Sequence, residues 1–383
     1  PSDQLGDAMA VMLRRRVHRV VVAEDGKILG ILEALDLFSF LSNQSHMITV
    51  QIEEARDLAG LSQAATRITR MIALLYRSGS RVNLIAKLVQ QLNARLFERA
   101  WQLIAPADLV ANSCLFVMGS EGRGEQLLKT DQDNGLILRD GYVPPAELDA
   151  ICDRFSAALH DFGYPECAGR VMLNNPQWRK PVGEFAQMTR QWLIMPDGDS
   201  LMNLAIFMDA HTVCGDAHLL EEVQRGMMKL ATDNDAMLSR FAAAIDAFGS
   251  SVGWWNRLLG LGDDEQHLNI KKEGIFPLVH GVRSLALANR ITETGTTARI
   301  AALVADGHLA GDLGADLTDS LHFFMGLKLK AGLAELDTGK PVTGAIDVAR
   351  LSSLDRDLLK DTLGVVKRFK ALLRHRFHLD AGR

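Results

Sequence analysis

Residues 114–138, CLFVMGSEGRGEQLLKTDQDNGLIL, restrict the fold more than any other part of this sequence. An apolar run predicts a buried strand, and Gly119-Ser120 ends it. A polar loop follows, and Asp131 and Asp133 then open a second apolar run. Because residues alternate sides along a strand, these aspartates should share one face, about 6.5–7 Å apart at Cα. The stretch therefore predicts a strand, a glycine-rich loop and a second strand that presents paired carboxylates.

Paired carboxylates beside a glycine–serine turn indicate metal and phosphate chemistry. Asp131 and Asp133 would repel each other unless a cation lay between them. Mg²⁺ takes oxygen ligands and shares them with substrate phosphates. The backbone N–H groups and the hydroxyl of Gly119-Ser120 suit those phosphates. The arrangement predicts a site for a nucleoside triphosphate and a divalent ion, Mg²⁺ or Mn²⁺.

Other kinds of ligand-binding loop fit less well. A P-loop needs Gly-Lys-Ser/Thr at the start of a helix, and none is present. The dinucleotide fingerprint needs glycines at its first, third and sixth positions, which Gly119, Gly122 and Gly124 do not provide. A calcium loop at DQDNG would need flanking helices and a final Glu at the required distance. The remaining alternative is a solvated hairpin whose acids have no chemical role.

The string GSEGRGEQLLKTDQDN, in its strand–loop–strand context, resembles the signature of the DNA polymerase beta-like nucleotidyltransferase superfamily. It more closely resembles nucleotidyltransferases related to PII-protein uridylyltransferase, which are commonly joined to CBS modules. The resemblance implies an α+β fold with a polymerase beta-like mixed sheet and flanking helices. It also implies that Gly119 and Ser120 bind the nucleotide, and that Asp131 and Asp133 are catalytic and hold the metal.

A third acid on a later strand completes the metal site in this superfamily, and NLAIFMDAHTVCGD resembles the corresponding stretch. The resemblance assigns Asp209 as the third catalytic and metal-binding residue. Two ions about 3.5–4 Å apart need more oxygen ligands than two carboxylates provide. If Asp209 only ends a strand, Asp216 is the fallback, although Asp216 more simply caps a helix beginning at Ala217. His211 stands where related sequences often carry Arg, so no phosphate contact is assigned to it.

Charged residues of the loop are further candidates for nucleotide binding. The planar guanidinium of Arg123 suits phosphate oxygens, and Lys129 could act in the same way. For each, the alternative is a solvated loop charge. Glu121 and Glu125 would repel a triphosphate, so we expect them to point outward or to hold Arg123.

Composition is that of an ordinary globular protein. The 383 residues suffice for two or three domains, with 48% hydrophobic and 23% charged residues. A net charge of −5 without a basic stretch argues against a nucleic-acid partner. No apolar run is long enough to span a membrane and no signal peptide opens the chain, so we expect no membrane partner and a cytoplasmic location. The scattered cysteines are expected to be buried thiols: Cys114, Cys152, Cys167 and Cys214.

Residues 1–43 predict a helix, two strands around an Asp-Gly turn, and a second helix at Leu35–Leu41. This order, with VHRVVVAEDGKILGILEALDL, resembles most of one CBS motif. CBS motifs work in pairs that bind adenine nucleotides, which favours a homodimer, and the chain starts without Met, which favours a fragment of a longer regulatory protein. Asp36 matches the acid that contacts ribose, but Glu33 replaces the usual Ser or Thr, which argues against adenosine binding.

The remaining chain divides into regions by its pattern of apolar residues. Residues 44–104 predict a helical connector. Residues 105–235 form the predicted catalytic domain, in which Cys167 to Leu173 should return to the sheet and Leu201 to Met208 should be an apolar run leading to the third acid. Residues 236–383 predict an all-α C-terminal domain.

The segment LNIKKEGIFPLVHGVRSLALANRI resembles the substrate-binding domain that accompanies these nucleotidyltransferases. Its apolar positions predict a buried helix face, which leaves Arg283 and Arg290 on other faces. The resemblance makes Lys271, Lys272 and Arg283 candidates for binding anionic groups of the nucleotide or acceptor. The alternative is a solvated charge cluster. The cations that end the last predicted helix, Leu354 to Phe377, suit the helix dipole.

Two functional hypotheses follow. In the first, an enzyme transfers a nucleoside monophosphate from ATP or UTP to a hydroxyl of a protein acceptor, PII-like by resemblance, under regulation by CBS modules. Asp131 and Asp133 would hold the ion bound to the triphosphate, and Asp209 would help to hold a second ion and accept a proton. In the second, the protein is a non-catalytic nucleotide sensor in signal transduction. A small-molecule nucleotidyltransferase of the antibiotic-modifying type fits less well, because of the CBS piece and the long helical C-terminal region.

Overall fold

The fold is α+β, with a four-stranded mixed sheet, flanking helices and an all-helical C-terminal region, as predicted. It is seen in a computed structural model that describes residues 8, 11–12, 15, 17–24, 26–33, 45–195, 198–231, 234–249, 270–346, 348 and 351–379.

An antiparallel hairpin precedes the main body of the protein. Strand β1 (Arg19–Glu24) pairs with β2 (Lys27–Glu33), close to the two strands predicted around the Asp-Gly turn. Of the first predicted helix, positions 8, 11 and 12 are described, and they are helical. The second predicted helix, with Asp36, lies outside the described residues.

Two long amphipathic helices form the connector, as predicted. Helix α1 (Leu58–Arg77) begins where Asp57 accepts a hydrogen bond from the N–H of Gly60 at 2.8 Å. Helix α2 (Val82–Ile104) buries one apolar face and packs against α1, against the sheet and against the catalytic domain. The connector is therefore continuous with the core of the domain that follows.

The sheet is built around one fully buried strand, β3 (Ser113–Val117). It pairs antiparallel with β4 (Asn134–Leu138) on one side and with β6 (His211–Gly215) on the other, and β4 pairs parallel with β5 (Arg179–Pro181). The helices of this domain are α3 (Ala107–Ala111), α4 (Gly119–Gly122), α5 (Leu148–Asp161), α6 (Val182–Ile194), α7 (Gly198–Phe207) and α8 (Ala217–Ala231).

One predicted strand is wrong, and the apolar run before Asp209 is not the strand that the resemblance implied. The segment Cys167 to Leu173 consists of turns beside β4, and the strand that pairs there is β5. The run Leu201 to Met208 is largely helical, because it belongs to α7. A short apolar run suits a buried strand and a buried helix equally, so its period does not distinguish them.

No strand occurs among the described residues of the C-terminal region, where helices alternate with turns and short loops. Its helices are α9 (Asp235–Ala243), the π-helix Lys271–Ile275, α10 (Phe276–Ala288), α11 (Thr296–Ala305), α12 (Gly311–Asp337) and α13 (Ser353–Arg376). Helix α10 is buried on nearly every side, so Arg283 is buried as well, in contrast to the prediction that it lay on another face.

The four cysteines are free thiols and buried, as predicted. Among the described residues, no helix combines the length and apolar character needed to cross a membrane.

Candidate active site between the sheet and the C-terminal helices

A tight turn after the central strand lies directly against Asp133. Helix α4 begins at Gly119, whose φ of +58° is in the left-handed region. A Cβ atom at Gly119 would lie 2.4 Å from Oδ2 of Asp133. The N–H of Met118 also donates to the carbonyl of Asp133 at 2.9 Å. Glycine is required here because the carboxylate occupies the space of a side chain.

The two aspartates of the loop line one cavity, as the alternation along a strand predicts. The residues between and after them, Gln132 and Asn134, are almost fully buried on the other side. The amide of Gln132 donates to the carbonyl of Tyr164 at 3.2 Å. These buried amides fix the register that presents Asp131 and Asp133 to the cavity.

The acid pair is electrostatically suited to a cation. Burial, and to a smaller extent the neighbouring Asp131 carboxylate, raise the pKa of Asp133 to about 7. Arg123 and Lys271 oppose this rise only in part. A divalent ion between the carboxylates would favour their charged forms, so the donor set fits a hard cation such as Mg²⁺.

A cavity of about 370 Å³ brings most of the predicted site residues together. The predicted residues that line it are Gly119, Ser120, Arg123, Asp131, Asp133, Asp209, Lys271 and Arg283. Another part of its wall is apolar, formed by Ala205, Ile206, Phe276 and Val279. The cavity thus combines a charged surface for phosphates and metal with an apolar surface.

One predicted cation, Lys129, does not line this cavity. The ammonium of Lys129 lies over the ring of Tyr164, 5.9 Å from its centroid, and the stem of Lys129 packs against Gly163. Lys129 is therefore turned toward the aromatic side chain of the domain core, away from the nucleotide-binding position predicted for it. The side chain of Lys272 lies outside the described structure.

Asp209 follows helix α7, not a strand, and its fully buried carboxylate is bound by three arginines. Its Oδ2 accepts from Arg123 Nη1 at 2.6 Å and from Arg283 Nη2 at 2.5 Å. Its Oδ1 accepts from Arg299 Nη1 at 2.8 Å. Burial by itself would raise the pKa of Asp209, but Arg283, Arg123 and Arg299 together hold it well below the ordinary value.

Asp209 is thus already charge-compensated by protein groups. Among the residues that the structure describes, no three Asp, Glu, His or Cys side chains converge as a metal site would require. Asp131 and Asp133 remain as a pair of candidate ligands. The role of Asp209 as a third ligand stays a prediction, and it would require the arginines to release the carboxylate.

The arginine cluster is itself held in place by neighbouring groups. His280 Nδ1 lies 3.3 Å from Arg283 Nη1, and His280 Nε2 lies 2.7 Å from the carbonyl of Phe241. Burial and the nearby Arg283 lower the pKa of His280 to about 3, so this imidazole is neutral. It therefore donates to Phe241 and accepts from Arg283, which orients the guanidinium toward Asp209.

Glu121 and Glu125 point in different directions. Glu125 holds Arg123 at 2.7 Å, as predicted, and also accepts from the N–H of Thr296 at 3.0 Å. Glu121 points inward, which corrects the expected outward position, and it accepts from the side chain of Asn93 at 3.1 Å. Burial raises the pKa of Glu121 to about 8. The short helix α4 turns Glu121 toward α2, so it does not face the cavity.

The turn residues are also fixed by contacts outside the cavity. The hydroxyl of Ser120 donates to Gln126 at 3.1 Å. A Cβ atom at Gly122 would lie 2.1 Å from the carbonyl oxygen of Asp209. The backbone of α4 therefore packs directly on the residue bound by the arginines.

Lys271 reaches the cavity from the π-helix. The N–H of Phe276 donates to the carbonyl of Lys271, five residues earlier, and Pro277 has no N–H with which to continue a regular α-helix at this point. Burial lowers the pKa of Lys271, and the charges of Asp131 and Asp133 partly oppose this effect. Lys271 therefore lies within electrostatic reach of the acid pair.

The sequence interpretation missed two basic residues of this region, Arg299 and Lys328. Arg299 binds Asp209, and it is the sole charged residue of its short helix, TTARIAALVA. Lys328 lines the cavity from α12, where it stands between leucines in GLKLKAGL. A cation between apolar residues of a helix could have indicated both positions, because charged side chains are seldom placed at buried positions without a partner or a ligand.

Comparisons with known families agree with this arrangement. Residues 66–199 match the family described as putative nucleotidyltransferase DUF294, and residues 235–377 match the putative nucleotidyltransferase substrate binding domain. Residues 1–43 match the CBS domain. A search of curated proteins found no match. The chain therefore contains a domain of the DUF294 putative nucleotidyltransferase family, joined to the substrate-binding domain of these proteins and to a CBS domain.

Proposed function

We propose that this protein is a metal-dependent nucleotidyltransferase that transfers a nucleoside monophosphate from ATP or UTP to a hydroxyl group of a protein acceptor. The observation that carries the proposal is the cavity in which the Gly119-Ser120 turn, the Asp131/Asp133 pair and cations of the C-terminal region meet. Family membership supports nucleotidyl transfer as the general activity. The choice of nucleotide and of acceptor is part of the proposal.

The roles of the side chains follow from their placement. Asp131 and Asp133 would hold Mg²⁺ or Mn²⁺, which when bound neutralises the triphosphate and polarises the phosphorus under attack. The turn at Gly119-Ser120 begins a short helix, whose first N–H groups lack carbonyl partners within the helix and suit phosphate oxygens. Lys271 provides positive charge near the acid pair. These groups act by positioning and charge neutralisation.

The acceptor would enter from the apolar side of the cavity, beside Phe276 and Val279. A hydroxyl of a PII-like signalling protein is the acceptor that the family resemblance suggests, with the CBS domain as the regulatory element. Asp209 is a weak candidate for the proton acceptor in the described state, because Arg123, Arg283 and Arg299 lower its pKa.

The test is nucleotide transfer in a cell extract. The full chain is incubated with each NTP labelled at the α-phosphate, and mass spectrometry identifies any protein that gains a nucleotide. We expect Mg²⁺-dependent labelling that is lost in Asp131→Asn and Asp133→Asn. Asp153→Asn, on the exposed side of α5, is the matched control and should label normally. Labelling that persists in both acid-pair variants would refute the proposal.

A nucleotide sensor without catalysis is the second candidate function. The specific observation in its favour is the engagement of Asp209 by three arginines, which leaves two carboxylates for metal. This candidate predicts Mg²⁺-dependent NTP binding with no release of pyrophosphate in the presence of any acceptor. Release of pyrophosphate that requires Asp131 would exclude it.

A further inference from the structure

Lys328 lines the proposed nucleotide cavity from the C-terminal region. Its side chain borders both this cavity and a small, mainly apolar cleft of about 70 Å³ beside it. Ser120, Arg123 and Thr130 border the same two spaces. Lys328 therefore shares this part of the cavity wall with Ser120 of the glycine–serine turn.

Both arginines that line the cavity already have protein counter-charges. Arg123 pairs with Glu125 and Asp209, at 2.7 and 2.6 Å, and Arg283 pairs with Asp209. By contrast, no hydrogen bond or ion pair joins the Lys328 ammonium to another of the described residues. A partly buried ammonium without a direct ion-pair partner costs free energy, which a bound anion would recover.

The stem of Lys328 is held in place by an ordered loop. A Cβ atom at Gly344 would lie 3.4 Å from Lys328 Cε, and Gly344 adopts a φ of +61°. The Glu335 carboxylate accepts from the N–H groups of Thr343 and Gly344, at 2.7 and 2.9 Å. These contacts fix the loop against the lysine stem, so the ammonium has a defined position.

The electrostatic setting also favours an anion at this point. Burial, with smaller effects from the positive charges of Lys271 and Arg123, lowers the pKa of Lys328 to about 8. The opposing charges of Asp131 and Glu125 are weaker influences. A ligand with several negative charges would relieve the repulsion among these cations.

We propose that Lys328 binds the terminal phosphates of the nucleoside triphosphate, which leave as pyrophosphate. This inference rests on the proposed function, and it assigns part of the nucleotide site to the C-terminal region. The α-phosphate would lie at the Asp131/Asp133 pair, and the β- and γ-phosphates would lie between the turn at Ser120 and Lys328. The nucleotide would then be held by both regions before the acceptor binds.

Isothermal titration calorimetry of the full chain with Mg²⁺-pyrophosphate and Mg²⁺-triphosphate tests this inference. We expect Lys328→Met to weaken binding of both probes about tenfold or more, and Lys328→Arg to retain most of it, since the charge is kept. Lys330→Met, on the same helix but exposed and paired with Asp355, should bind as the wild type does.

Equal binding by the wild type and Lys328→Met would overturn the inference, as would a wild type that binds neither probe. If Lys328→Met does not fold, Lys328→Gln, which keeps most of the stem, replaces it, and circular dichroism checks the fold of each variant. Turnover is measured separately. Loss of probe binding in Lys328→Met together with no nucleotide transfer by the wild type would leave this inference standing and refute the proposed function. Unchanged probe binding in Lys328→Met together with nucleotide transfer by the wild type would refute this inference and leave the proposed function standing.

Discussion

Arg299 and Asp209 form a fully buried ion pair, with Arg299 Nη1 2.8 Å from Asp209 Oδ1. The pair joins α11 of the C-terminal region to the turn that follows α7 in the catalytic domain. Arg299 also donates to the carbonyls of Met208 and Glu293, each at 2.6 Å. The candidate active site therefore depends on a charged contact between the two regions.

Removing Arg299 should destabilise the protein strongly. In Arg299→Met, Asp209 loses one of its counter-charges and the carbonyl of Met208 loses a donor, so we expect a loss of about 3–5 kcal/mol in the free energy of unfolding. Urea denaturation measures this change. Arg67→Met, at an exposed position of α1, is the control and should change stability by less than about 0.5 kcal/mol. Equal effects of the two substitutions would show that the buried pair contributes little.

Asp209→Asn separates two roles for this residue. If Asp209 serves mainly to hold Arg123, Arg283 and Arg299, the variant should lose stability and bind NTP more weakly, while its Mn²⁺ affinity changes little. Asp133→Asn should lower Mn²⁺ affinity at least tenfold. Electron paramagnetic resonance of bound Mn²⁺ measures both variants. A similar loss of Mn²⁺ affinity in Asp209→Asn would instead establish it as a metal ligand.

Gly119→Ala should abolish nucleotide transfer. The added Cβ would lie 2.4 Å from Oδ2 of Asp133, and the φ of +58° is unfavourable for alanine, so the carboxylate must move. We also expect a loss of about 1–2 kcal/mol in stability. Gly226→Ala is the matched control, because Gly226 lies in helix α8 and the position that an added Cβ atom would take is open space. It should leave activity unchanged and stabilise the helix by about 0.5–1 kcal/mol.

Glu121 should make stability depend on pH. Its pKa is about 8 in the folded protein and near the ordinary value when unfolded, so between these values the folded state binds one more proton. Stability therefore falls as the pH rises from about 5 to 8. The glutamine of Glu121→Gln has no proton to lose. We therefore expect the free energy of unfolding of this variant to exceed that of the wild type by about 1–3 kcal/mol at pH 8, with a much smaller difference at pH 5.

Thermal unfolding at the two pH values measures this difference. Glu222→Gln, at an exposed position of α8, is the control and should follow the wild type at both. A difference between Glu121→Gln and the wild type that is the same at both pH values would contradict the assignment.

Local sequence patterns predicted much of this protein. The run of apolar residues before Gly119, the turn itself and the alternation of Asp131 and Asp133 are short-range features, and each depends on backbone conformations of a few neighbouring residues. The helical connector and the last helix followed from apolar residues at helical spacing. The same reasoning could not place Leu201 to Met208, because a short, mainly apolar run is compatible with a strand and with a helix.

The sequence by itself determined the strand–loop–strand unit, its paired carboxylates and the family to which this domain belongs. Tertiary structure alone decided that Asp209 is bound by arginines, that Glu121 is buried and that Lys328 reaches the cavity. Asp209 is 74 residues from Arg283 and 90 from Arg299 along the chain. Contacts over such separations depend on how whole helices pack, and no local spacing of residue types encodes which charges will meet.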